Sequence, residues 1–299
     1  MARVDFWWDG AEPQPPAIFD GLLATVVRSR PALKVPTIAV VCSTRRFRGS
    51  ALHKVARRTG LLRTVAFHEL SDDQIRAPNV ALLHWAPFEG HVISDHLRSR
   101  IPPDVPVLND TGLDTRKANV DAHFAAVAGY GTTIDIAKES GFAVMKSEIN
   151  GKHDGRIVKL PLSVLDPRKV YQKLIDNSLG DYVVDLRIPF VLGNPVLAYV
   201  KFRERSRRFE NANASVKLVV PTDVLSEDEI GVCQRFCHSI GLQYGELDVL
   251  RDRGSGRIYV VDANNTPAGP PAGLSNTDRA NALRMIAFAF RTHVFRLPG

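Results

Sequence analysis

Residues 242–267 read LQYGELDVLRDRGSGRIYVVDANNTP, and the fold turns on how this stretch is read. Two apolar runs flank DRGSG, whose Gly and Asp content marks a turn. Both runs carry a carboxylate or an amide among apolar residues, and core strands do not spend inward positions on such groups without a use for them. With the turn centred on Ser255, Asp248 falls directly opposite Asp262, at the ~4.5–5.5 Å Cβ separation of an antiparallel pair. Asn264 lies two residues further on and shares that face. Asp252, in the turn, is expected simply to face water.

Two facing carboxylates repel unless they are protonated or bridged by a cation. Hard oxygen ligands in small number suit Mg2+, which keeps waters and takes its remaining oxygens from substrate phosphates. The hairpin is therefore expected to hold metal at Asp248, Asp262 and Asn264, beside a nucleotide triphosphate.

Upstream, the chain changes character once. TIAVVCS, RTVAFHEL, VALLHWAP and VPVLND read as strands, and SALHKVARRTG and ISDHLRSRI as helices. Alternation of this kind predicts a small parallel α/β domain ending near Asp110. The Pro-rich first ~35 residues, with Trp7 and Trp8, read as an irregular arm carrying one helix. From DTRKANVDAHFAAVAG onward the reading is a helix, the strands FAVMKSEI and GRIVKLPL, a helix DPRKVYQKLI, and two longer strands meeting at LGNP as an antiparallel hairpin. SEDEIGVCQRFCHSIG is a helix with a capping box at Ser226–Glu229 and a stop at Gly241. The chain closes with the helix TDRANALRMIAFAFRTHVF.

With these elements in place, GELDVLR…GRIYVVDANNTPAG resembles the C-terminal metal-binding segment of ATP-grasp enzymes, in the branch of ribosomal-protein glutamate ligases and glutathione synthetases. The resemblance runs over about residues 109 to 270. It implies an α/β fold with an α+β lid: an N-terminal parallel α/β domain (1–110), a central lid subdomain (111–184) and a C-terminal subdomain with the metal hairpin (185–299). It assigns Asp248, Asp262 and Asn264 to Mg2+, with Mn2+ an alternative, and Asp stands at 262 where Glu is more usual. TRKANVDAHFAAVAG places Lys117 on phosphate. FAVMKSEINGKHDGRIV places Lys146 on the α-phosphate side, with Gly151 and Gly155 flanking a flexible phosphate loop that also carries His153. VYQKLIDN resembles the hinge that holds adenine through the backbone, here Gln172, Lys173, Leu174 and Ile175, with Asp176 toward the ribose. In VDLRIPFVLGNPVLAYVKFRER, Arg187 and Lys201 or Arg203 would face phosphate or acyl-phosphate as catalytic cations. Ser147 stands where the family has Pro after the lysine, and the loop is poorer in Gly.

Composition narrows the classes. The net charge of +7, from 39 Lys+Arg against 32 Asp+Glu, fits nucleic acid, an anionic membrane surface or acidic small substrates. No helix-turn-helix or RNA-binding motif accompanies it, so nucleic acid is set aside. No apolar run approaches the ~20 residues of a membrane span. Cys42, Cys233 and Cys237 make no even-numbered disulfide framework and read as free thiols of a cytoplasmic protein. No P-loop, Gly-x-Ser-x-Gly elbow or His-Glu-x-x-His occurs.

The expectation is an ATP-dependent carboxylate–amine ligase acting through an acyl-phosphate on small-molecule carboxylate and amine substrates, an acidic or peptide acceptor included. The resemblance also implies a homo-oligomer. Two alternatives stand beside it: phosphorylation of a small hydroxyl substrate, and a non-catalytic nucleotide-binding or partner-binding protein on the same fold.

Overall fold

The computed structural model describes residues 35–42, 45–86, 92–110, 113–148, 154–210 and 212–297. The N-terminal arm, Gly151 and His153 lie outside these. Strands β1 (Thr37–Val41), β2 (Arg63–Ala66), β3 (Val80–His84) and β4 (Val107–Leu108) form a parallel sheet in the order β2-β1-β3-β4. All five residues of β1 are buried, the mark of a parallel strand covered on both faces. Helix α1 (Ala51–Thr59) lies between β1 and β2. Ser50 accepts the His53 N–H at its start, and Gly60 closes it in the left-handed region at φ 67°.

Helix α2 (Lys117–Ala128) leads into a second, antiparallel sheet of β5 (Gly141–Ser147), β6 (Arg156–Leu160) and β7 (Lys169–Lys173), in the order β6-β5-β7. Strand β7 corrects the sequence expectation, which read DPRKVYQKLI as a helix. Val170, Leu174 and Ile175 mimic one helical face, yet Val170, Tyr171 and Gln172 pair with Lys146, Met145 and Val144. A free neighbouring strand outweighs a weak helical pattern in β-favouring residues.

The third sheet holds β8 (Tyr182–Val191), β9 (Ala198–Glu204), β10 (Ser215–Val219), β11 (Tyr244–Arg251) and β12 (Ile258–Asn264), antiparallel in the order β10-β9-β8-β11-β12. Helix α3 (Glu227–Ile240) precedes β11, with the expected capping box at Ser226–Glu229 and Gly241 at φ 78°. Apolar and charged residues alternate along β8 from Val184 to Ile188, so the two faces of the sheet differ there. Val184, Leu186, Ile188 and Phe190 join Val120 and Phe124 of α2 and Cys233, Phe236 and Ile240 of α3 in one core. Asp185 and Arg187 take the opposite face.

Helix α4 (Asn276–Ala289) packs into the core of the first sheet: Ala282, Leu283 and Ile286 meet Ile38, Val40, Leu52 and Val55, together with Tyr199 and Tyr244 of the third sheet. Asn109 stitches the two sheets together. Its backbone N–H donates to Gln243 Oε1 (2.8 Å) and its Nδ2 to the Tyr244 carbonyl (2.7 Å), while its Oδ1 accepts the N–H groups of Gln243 (2.8 Å) and Tyr244 (3.0 Å). Its φ of 56° is a left-handed conformation that Asn tolerates better than most residues.

Candidate active site

Asp248 and Asp262 are register partners, as expected, but the route differs from the expected one. Next to the turn the pairs are Arg251 with Ile258, Leu250 with Tyr259 and Val249 with Val260. The register then shifts by one between Asp248 and Val249, leaving Val261 as the extra residue of a β-bulge. Without the bulge, Asp248 would face Val261 and Asp262 would point to the opposite side. The turn is also more than a solvated loop. Asp252 is buried, and its Oδ1 accepts the N–H groups of Gly254 (2.8 Å) and Ser255 (3.0 Å), which corrects the expectation that it only faces water.

Around this pair the sheet face is ionic. Arg187, opposite Asp248 on β8, holds it bidentately through Nε (2.9 Å) and Nη2 (2.7 Å), and Lys201 Nζ adds a third contact at 3.0 Å. Burial alone would raise the Asp248 carboxyl, but Arg187 and Lys201 outweigh it and hold the group below the usual carboxylate range. Asp262 accepts from Lys117 Nζ at 2.5 Å. Lys146 Nζ reaches the Val261 carbonyl at 3.4 Å. Burial, reinforced by the charge of Lys117, pushes the Lys146 ammonium down to about 8. Asn264 Oδ1 accepts the Thr266 N–H at 2.9 Å, and Arg203 pairs with Asp185 at 2.9 Å. The structure thus brings Lys117, Lys146, Arg187, Lys201, Asp248, Asp262 and Asn264 together, with Arg203 two residues further along β9.

Hard oxygen donors at Asp262, Asn264 and Asp248 on one face suit Mg2+ chemically. Both Asp248 oxygens already carry cations, so Asp248 serves a metal only by releasing Lys201 or Arg187. Among the described residues, no group of three or more His, Cys, Asp or Glu side chains could hold a metal. The metal would therefore depend on the amide of Asn264 and on phosphate oxygens.

The second sheet meets this region through Lys146, whose Nζ reaches the Val261 carbonyl. Val144 pairs with Ile157 on one side and Gln172 on the other, and Lys146 lies two residues along β5 from Val144. Phe142, Val144, Ile157 and Gln172 therefore share a face with Lys146. Phe142 and Ile157 are exposed there, an apolar surface suited to a base. Sequence reasoning missed Val144 and Ile157, although the period-2 spacing from Lys146 marks Val144.

The hinge is largely tied up. The Lys173 N–H donates to the Thr132 carbonyl (2.7 Å), and the Ile175 carbonyl accepts from the Asn177 N–H (3.1 Å) and Arg208 Nη2 (3.2 Å). Asp176 Oδ1 accepts from the Ser178 N–H (3.1 Å) and hydroxyl (2.6 Å), a turn-stabilising role that competes with the ribose role expected of it. Leu174 is half-buried beside it. Gly155 abuts Phe209 so closely that a Cβ there would lie 2.6 Å from the ring. Residues after Pro267 dock on α1: the Pro267 carbonyl accepts the Ala51 N–H (2.8 Å) and the Ala268 carbonyl accepts from Lys54 Nζ (2.6 Å).

One further residue was missed. Glu246, two residues before Asp248 and opposite Asn264, is 2 % exposed, and neither carboxylate oxygen has a hydrogen-bond partner. Burial pushes its carboxyl up to about 7. Its one ionic neighbour within 4 Å among the described residues is Arg187 Nε, at 3.8 Å. The GELDVL motif contained it, but a single acid per strand was sought. Separately, a cavity of about 770 Å3 behind the hairpin turn, lined by Tyr130, Asn177, Ser226, Arg253 and Arg257 among others, includes none of the candidate residues.

No family model matches the chain, and no curated protein matches it. Among solved structures, it is similar to the ATP-grasp ligase PsnB complexed with a phosphomimetic variant of a minimal precursor, Mg and ADP, at 14 % identity and a TM-score of 0.49, covering 87 % of this chain and 99 % of that one. It is similar to D-alanine–D-alanine ligase from Bacillus anthracis at 14 % identity and a TM-score of 0.47, covering 87 % and 97 % of the two chains. It is similar, too, to the D-cycloserine synthetase DcsG, at 14 % identity and a TM-score of 0.47, over 85 % and 99 %. In the course of its chain this protein is similar to ATP-grasp ligases, as its hairpin motif is.

Proposed function

We propose that this chain is an ATP-dependent ligase that joins a carboxylate to an amine and uses Mg2+. The observation that supports it best is the sheet face on which opposed Asp248 and Asp262 are surrounded by Lys117, Lys146, Arg187 and Lys201, Lys146 sharing its own strand face with the apolar Phe142, Val144 and Ile157. A base, a polyphosphate and a metal together demand such a pairing of apolar surface, cations and hard oxygens.

In this reading the base lies between Val144, Ile157 and the Gln172–Ile175 hinge. Lys146 and Lys117 neutralise the phosphates, and an arriving polyanion holds Lys146 protonated. Mg2+, when bound by Asp262, Asn264 and Asp248, supplies charge neutralisation at the terminal phosphate oxygens. Asp248 fixes the guanidinium plane of Arg187, which with Lys201 receives the transferred phosphoryl oxygens. A substrate carboxylate oxygen attacks the γ-phosphorus, the bond to the β-phosphate oxygen breaks, and ADP leaves. The amine nitrogen then attacks the acyl carbon, loses a proton, and inorganic phosphate departs. Phosphoryl transfer of this kind needs positioning and charge neutralisation more than a protein nucleophile, which agrees with the lack of a catalytic triad.

The test is thermal unfolding with Mg2+ and a non-hydrolysable ATP analogue, for wild type and for Asp262→Ala combined with Asn264→Ala. At ~100-fold above the dissociation constant the analogue should stabilise the wild type by about 2.7 kcal/mol. That shift should need Mg2+ and vanish in the double variant. An unshifted wild type sinks the reading. Amino acids in pairs then serve as substrates: ADP with free phosphate indicates a ligase, and phosphate retained on the product indicates a kinase.

A further inference from the structure

We propose that Glu246 is the receptor for the amine of the acceptor substrate. This rests on the ligase reading above and names the group that the second half-reaction must hold.

A carboxylate with both oxygens buried and unpaired is an uncommon arrangement, because a buried acceptor without a donor carries its full desolvation penalty. Glu246 is not alone. The hydroxyls of Tyr199 and Tyr244 are buried and also without hydrogen-bond partners. Register puts all three on one face of the third sheet. Tyr244 is two residues from Glu246 along β11, and Tyr199 is the partner of Arg187, which in turn is the partner of Asp248. Three unpaired polar side chains thus border the row that handles phosphate. Together they offer a carboxylate and two hydroxyls, acceptors enough for the N–H groups of an amine or ammonium.

Depth and spacing support the same assignment. Side-chain exposure is 28 % at Asp262, 29 % at Arg187 and 19 % at Asp248, but 2 % at Glu246. Exposure therefore falls from the phosphate row to Glu246, which lies deeper on the same face. With one oxygen 3.8 Å from Arg187 Nε, the Glu246 carboxylate borders the Arg187 row directly, within reach of a nitrogen held beside an acyl group there. Arg187 and Lys201 both bind Asp248, two residues along the same strand, and leave Glu246 a carboxylate with no hydrogen-bonding cation of its own.

The test is direct binding, measured by calorimetry without turnover. Glycinamide and methylammonium are the probes, and acetamide is the control that lacks the amine. Wild type, Glu246→Gln and Glu246→Asp are compared, each with and without the ATP analogue. The expected result is that wild type binds at least one amine and not acetamide. Glu246→Gln, which keeps the shape, should lose at least tenfold in affinity, while Glu246→Asp retains part of it. The analogue-dependent thermal shift should survive in Glu246→Gln. Wild type that binds neither amine, or Glu246→Gln that binds as tightly as wild type, overturns the proposal. Should Glu246→Gln fail to fold, the Asp variant decides: amine affinity equal to that for acetamide overturns the proposal. Loss of the thermal shift in wild type with amine binding intact would remove the ligase reading and leave the amine site standing.

Discussion

Replacing Gly245 by Ala tests how tightly the candidate site is held by backbone packing. Gly245 lies on β11 beside Glu246, and a Cβ built there would sit 2.6 Å from the Asn264 carbonyl oxygen and 2.7 Å from Leu242 Cδ1. Ordinary Cβ contacts begin at 3.4 Å, so about 0.8 Å of separation must be found. Leu242 can rotate, but the Asn264 carbonyl belongs to β12 and can yield only by moving that strand. Overpacking of this kind costs about 1–3 kcal/mol, roughly a few degrees of Tm per kcal/mol in a chain of this size. The displaced residue is also a candidate metal ligand, and metal–oxygen distances tolerate only about ±0.2 Å. If the Mg2+-dependent affinity for the ATP analogue falls tenfold, ligand stabilisation at the same concentration drops from about 2.7 to about 1.4 kcal/mol. Urea unfolding measures the first effect and the thermal shift the second. Gly49→Ala, where nothing lies within 4 Å of the added Cβ, is the control. Full stability together with an undiminished shift in Gly245→Ala would refute the claim that β11–β12 contact positions Asn264.

Further outcomes are expected elsewhere. Gly231→Ala, in the interior of α3, meets only the flexible end of Arg235 at 3.3 Å and should stabilise the protein by about 0.5–1 kcal/mol in urea unfolding. Lys146, lowered to about 8 by burial and then by Lys117, is charged below that pH and neutral above it. Affinity for the ATP analogue should therefore fall as pH rises from 7 to 9, by up to about tenfold per unit beyond 8, and Lys146→Arg should flatten the profile. Asn109→Ala removes its side-chain bonds to β11 and leaves a non-Gly residue at φ 56°, so a loss of about 3 kcal/mol is expected. Asn109→Gly separates the two causes: recovery of most of that loss would assign it to backbone conformation rather than to hydrogen bonds.

What the sequence determined by itself was local. The capping box at Ser226, the helix-ending glycines at 60 and 241 and the buried strand β1 each depend on neighbours within a turn or two, and each formed as read. The facing of Asp248 and Asp262 was reached from a turn centred on Ser255, whereas the register next to the turn would by itself set Asp248 against Val261. Tertiary structure alone decided the rest, because the determinants lie far apart in sequence. The bulge at Val261 makes the facing possible, and a strand shows its own period but not where its pairing slips. Strand β7 formed because β5 offered it an edge. Arg187 and Lys201 meet Asp248 from 61 and 47 residues away, and Lys117 meets Asp262 from 145. Glu246 reads in sequence as one more acid in a strand. Only the assembled sheet, with β8 and β12 on either side of β11, buries that charge without a donor, and burial is what turns an ordinary carboxylate into a group that calls for a ligand.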